Sequence, residues 1–135
     1  MDEQPQHDRA TDPAINEAEA ERDIAYTVHL DHHRPDNAAL AVLTDRLITH
    51  CVTLAIGVNL IPAAERTRQA SAAVTSWQQL AEHGPDDGAL GNWSYAKHLA
   101  QTARDMLAGI REHRAAQPAT FVGRETLPPV AADRP

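Results

Sequence analysis

Leu40, Leu43, Leu47, Cys51, Leu54, Val58 and Ile61 follow one another at steps of three and four. That spacing lines one face of an α-helix and fits no strand. The turn residues Pro35-Asp36-Asn37 open the run and Pro62 closes it. The far side of the same helix carries Val42, Val52, Ile56 and Leu60. A helix apolar on more than one face is either the centre of a bundle or a surface lent to a partner. No Asp, Glu, Lys or Arg lies between Leu47 and Ala64. A membrane span is still not expected, because His50, Asn59 and Pro62 interrupt a stretch that would need about 20 apolar residues.

Around this helix the chain predicts an all-α fold: an antiparallel bundle of four helices at about 14–33, 38–61, 63–83 and 92–116. Asp12-Pro13 has the form of a helix start, aspartate at the cap and proline in the first turn. The first helix shows an apolar face of Ile15, Ala18, Ala25, Tyr26, Val28 and Leu30, broken by Arg22 and His29. Pro62 is expected to start the third helix, with Ala63, Thr67, Ala70, Val74, Trp77 and Leu80 inward, and Gly84-Pro85 to end it. Trp93, Ala96, Leu99, Ala100, Ala103, Leu107 and Ile110 face inward on the fourth. Short connections make neighbouring helices antiparallel. One bundle domain over 13–116 is expected, between a disordered acidic arm at 1–12 and a disordered Pro/Ala-rich tail at 117–135.

A formal net charge of −7 with a single lysine, Lys97, argues against nucleic acid and against an anionic membrane surface as partners. Aromatic residues make up 4% of the chain, so the core must be aliphatic with Trp77 and Trp93 as its large anchors. Cys51 is the only cysteine and falls on the core stripe, which assigns it to packing. Residues 1–12 are polar with no apolar signal region, and a cytoplasmic location is the expectation.

Candidate chemistry is sparse. His29 and His33 are four apart and share a helix face, so the pair can chelate a metal if His50, His98 or Asp31 completes the set. The alternative is a histidine-rich helix end that complements the dipole. His50 and Cys51 are adjacent, hence about 100° apart on a helix, and do not form a nucleophile–base pair. Glu17, Glu19, Glu21 and Asp23 read as a solvated acidic run, and Arg111, His113 and Arg114 as cations suited to a helix C-terminus. No phosphate loop or serine elbow occurs, so no catalytic residue and no cofactor is assigned.

Two segments carry a resemblance. The first is Leu47-Ile-Thr-His50-Cys-Val-Thr-Leu54 followed by Ile61-Pro62. The second is Trp93-Ser-Tyr95-Ala-Lys-His98-Leu99-Ala100-Gln-Thr-Ala103 ending in Arg111-Glu112-His113. Over about residues 24–114 the chain resembles a family of short actinobacterial all-helical proteins of unknown function, some labelled natural-product biosynthesis proteins. The resemblance implies a helical fold and a biosynthetic setting and names no reaction. The leading expectation is therefore a non-catalytic accessory protein that binds a protein partner or itself as a homodimer. Val42, Val52, Ile56 and Leu60 are the candidate contact surface. The alternatives are a metal-binding bundle using His29, His33 and His50, and a small-ligand pocket walled by Trp77, Trp93 and Tyr26.

Overall fold

The computed structural model describes residues 13–30, 33–87 and 89–117. The expected arm at 1–12, the tail from 118 onward, Asp31, His32 and the side chain of Ile15 lie outside them. Among the described residues four α-helices follow in order: α1 (Pro13–Leu30), α2 (Asn37–Asn59), α3 (Arg68–His83) and α4 (Ala89–Ala116), with a short 3-10 turn at Ala63–Glu65 before α3.

Two boundaries differ from the sequence expectation, the starts of the third and fourth helices. The segment after Pro62 makes only the 3-10 turn, after which Arg66 is extended and Thr67 caps α3 by accepting the Ala70 N–H at 3.0 Å. Helix three therefore starts at Arg68 rather than 63, and Ala63 is exposed. Asp36 caps α2 in the same way, accepting from Ala39 N at 2.8 Å. α4 starts at Ala89, three residues before the expected 92. α3 ends on Gly84 at φ 71°, a left-handed position that glycine occupies without strain, and the Gly84 N–H closes on Leu80 O at 2.9 Å.

Cross-helix pairs set the directions. Glu17 meets Arg114 and Glu21 meets Arg111, so α1 runs against α4, and Asp23 ties α1 to Arg46 and His50 of α2. Gln69 bonds Asp105, and Tyr95 donates to Leu80 O, so α3 runs against α4. Cys51 lies on Leu99 and Gly57 on Ile110, so α2 and α4 run the same way. The result is an up-down-up-down bundle in which the parallel diagonal pair, α2 and α4, makes the most extensive contact and α1 and α3 flank it. α4, packed on all three others, shares the centre with α2.

The whole Leu40–Ile61 stripe is buried, with Leu47, Cys51 and Val58 fully so. It meets Ala96, Leu99, Ala100, Ala103 and Met106 of α4, whose small residues let the two diagonal helices approach. Trp93 is in this core and Trp77 is packed against it. On α1 the expected face is wrong by one step. Ala20, Asp23, Ile24 and Thr27 point inward, while Ala25, Tyr26 and Val28 are exposed. Two polar residues on the inner face hid it from a hydrophobic reading. α2 is long and apolar enough, by length and composition alone, to cross a membrane; its fully buried stripe is equally what a bundle's central helix shows.

The α3–α4 contact depends on Gly109. A Cβ there would stand 2.5 Å from Ala70 Cβ and 3.4 Å from the capping Thr67 Oγ1. Gly57 differs, because its added Cβ would meet only the flexible end of Ile110, at 2.9 Å. Alanine gains about 1 kcal/mol of helix propensity at either site, whereas forcing packed helices apart costs about 1–3 kcal/mol. Gly109→Ala should therefore lower the urea midpoint, and Gly57→Ala should leave it unchanged or raise it. Equal midpoints for the two variants would refute the close contact.

Candidate functional site

The polar centre of the bundle is Asp23, on the inner face of α1 with its side chain 9% exposed. A carboxylate so placed needs partners, since burying an unpaired charge is prohibitive. α2 supplies two from consecutive turns. Arg46 donates twice, Nε to Oδ2 and Nη2 to Oδ1, each at 3.0 Å. His50 Nε2 donates to Oδ2 at 2.7 Å. Thr27, also buried, donates to the backbone oxygen of Asp23 at 2.8 Å. Burial pushes the Asp23 carboxyl up, but the hydrogen bonds and charges of Arg46 and His50 outweigh it and hold the carboxyl below its ordinary value.

An ionised carboxylate only accepts, so the proton between the two groups belongs to His50 Nε2. Asp23 thus fixes the orientation of an imidazole that is itself nearly buried, 11% exposed. His50 also lines a cleft of about 360 Å³ between α1, α2 and α4. Across this cleft Glu17 pairs with Arg114 and Arg111. The Arg114 hydrogen bond lowers the Glu17 carboxyl most, against a smaller opposing effect of burial. Glu17 and Asp23, expected to be a solvated run, are therefore the two acidic anchors of α1. Arg111 and Arg114, expected only to complement a helix dipole, hold it to α4. The signal available in the sequence was pairwise: Arg46/His50 four apart and Arg111/Arg114 three apart offer cations to a carboxylate on another helix.

The metal set expected from spacing is not assembled. Among the described residues no three of His, Cys, Asp and Glu are grouped to hold a metal. His50 is committed to Asp23, His29 is exposed on α1, and His33 lies beyond the α1 terminus with its ring on Leu30 O at 3.1 Å. His98 is exposed on α4, beside a cleft with His83 and Glu82. Cys51 Sγ is buried on Leu99 O, and burial pushes its thiol up to about 12, which removes it as a nucleophile at neutral pH. Neither cleft flanking α1 is lined by Trp77, Trp93 or Tyr26. Lys97 sits 5.2 Å over the buried Trp93 ring.

The outer face of α2 is bare. Val42, Val52, Ile56 and Leu60 are 59%, 45%, 58% and 79% exposed. With Asp45 and Thr49 they fall within about a quarter-turn of the helix at 100° per residue.

A family model described as a family of unknown function (DUF6415) matches residues 18–115, which spans all four helices. No curated protein and no solved structure matches the chain.

Proposed function

The chain belongs to the family of unknown function (DUF6415), which supplies no activity to inherit, and we propose from its geometry that it is a non-catalytic interaction protein that pairs through α2 with a second copy. One observation carries this reading: four large aliphatic side chains stand exposed on one side of a helix whose other side is core. Single exposed aliphatics are ordinary, but an aligned row is the mark of an association surface. Val42, Asp45, Thr49, Val52 and Ile56 follow at steps of three and four, the seam spacing of paired helices. A parallel pair would set Asp45 against Asp45. An antiparallel crossing centred on Val52 separates the two carboxylates and brings each opposite Asn59 of the other copy. The setting in this proposal, an actinobacterial biosynthetic accessory, rests on the resemblance alone; the α2 face supplies the means.

Sedimentation equilibrium from about 1 to 100 µM covers the affinities such a helix pair reaches. The unmodified chain should shift from monomer to dimer over that range. Ile56→Glu should stay monomeric with unchanged helicity, because the position is exposed in the single bundle and a charge there meets only the other copy. A strict monomer throughout, or a dimer indifferent to Ile56→Glu, rules the reading out.

A further inference from the structure

α1 is joined to the bundle by a different kind of contact from the other three helices. Its described residues give the buried core only Ala20 and Ile24, with Leu30 packed against it at the helix end. A cleft of about 400 Å³ runs along one side of it, against Leu107 and Ala108 of α4. Another of about 360 Å³ runs along the other side, against Leu54 of α2 and Ile110 of α4. The packing of α1 is therefore a narrow strip with open space on both flanks, where a core helix is closed on both. Charge takes the place of the missing apolar area. Asp23 meets Arg46 and His50, Glu17 meets Arg114 and Arg111, and Glu21 meets Arg111. Among the described residues every ion pair that joins two α-helices has one end on α1. The three arginines are about half exposed, so water and salt reach these pairs. α2, α3 and α4 hold one another instead through buried apolar side chains, among them Leu47, Val58, Ala73, Val74, Leu99 and Met106.

We infer that α1 is a latch held by charge: it lifts off as a unit while α2, α3 and α4 stay packed, and so uncovers an apolar strip that includes Leu54, Leu107 and Ile110. Proteins open locally in contiguous units, and the unit with the least buried apolar contact opens at the lowest free energy. The bare outer face of α2 belongs to the part that stays folded, so release of α1 and pairing are separate events.

Native-state hydrogen exchange of the full chain, read residue by residue by NMR at neutral pH, tests this. Amides from Asp23 to Val28 should share one rate, at least about tenfold faster than those from Leu99 to Ala103, a gap of one decade in the opening equilibrium. Raising KCl from about 0.1 to 1 M should speed the α1 amides several-fold. Glu17→Gln, which removes the charge that Arg114 and Arg111 share, should speed them about fivefold. Val74→Ala supplies the control, because it removes buried methyl groups on α3 and weakens only what remains after α1 has lifted. It should speed the Leu99 to Ala103 amides about tenfold and leave the α1 amides unmoved. Equal rates on α1 and α4, a rate that falls steadily along α1 as in fraying from one end, α1 amides that quicken with Val74→Ala as much as those of α4, or α1 amides indifferent to Glu17→Gln would each overturn the inference.

Discussion

Leu47→Ala should lower the free energy of unfolding by about 3–4 kcal/mol in urea titrations. Leu47 is fully buried at the middle of the α2–α4 contact, and a buried leucine truncated among packed helices loses its transfer energy and leaves a cavity. Val52→Ala, five residues along the same helix but 45% exposed, should change it by less than about 0.5 kcal/mol in the monomer. The contrast tests which side of α2 is core. If both truncations cost alike, the helix is rotated from the orientation described, and the association surface goes with it. Total stability for a bundle this size is of order 5–15 kcal/mol, so Leu47→Ala is best measured by extrapolation from denaturant rather than by a single melting point.

Asp23→Ala should cost about 2–3 kcal/mol. Removing one member of a buried ion pair typically costs about 3–5 kcal/mol because its partner stays behind uncompensated. Here the cost is reduced, since Arg46 is half exposed and can turn to water, while His50 is left nearly buried and without its acceptor. The double variant Asp23→Ala/His50→Ala should cost less than the sum of the single ones, by about 1 kcal/mol, as expected for groups in one network. Acid supplies a second readout. The Asp23 carboxyl titrates in the folded bundle below its unfolded value of about 3.9. Its contribution is therefore complete above that value and is lost as pH falls through the lower, folded-state pKa. Stability of the unmodified chain should fall as pH drops below about 4, with a shallower fall in Asp23→Asn. Glu17, depressed by Arg114, keeps part of the slope in that variant. An identical acid slope in both would remove Asp23 as an anchor.

The α2 stripe was legible residue by residue, because seven apolar positions at steps of three and four have a single helical explanation, and the turn and proline at its ends agree with it. The helix at 63 was not legible as such. Proline favours a first helical turn, but whether the helix continues depends on the backbone at Arg66 and on the Thr67 cap, which hydropathy does not encode. The inner face of α1 was misread for an energetic reason. Asp23 and Thr27 are inside because α2 satisfies one and the α1 backbone the other, and polarity alone cannot reveal a partner 23 or 27 residues away. The bare side of α2 was visible as surplus apolar residues. Whether they sat in the core or outside it was decided only by α4, which fills the opposite side with its own alanines and leucines.

The Glu17–Arg114 and Glu21–Arg111 pairs bring the beginning of the first helix beside the end of the last. The bundle therefore has two unlike poles. One holds the tight connections at Arg34–Asp36 and Gly84. The other holds both ends of the described bundle, the cleft against Gly57 and Ile110, and Leu60. A segment joined directly at Pro13 or Gln117 stands at that second pole, whereas an insertion after Gly84 stands at the first. A probe inserted after Gly84 thus sits at the opposite pole from the His50 cleft, and one joined at Pro13 or Gln117 shares the cleft's pole.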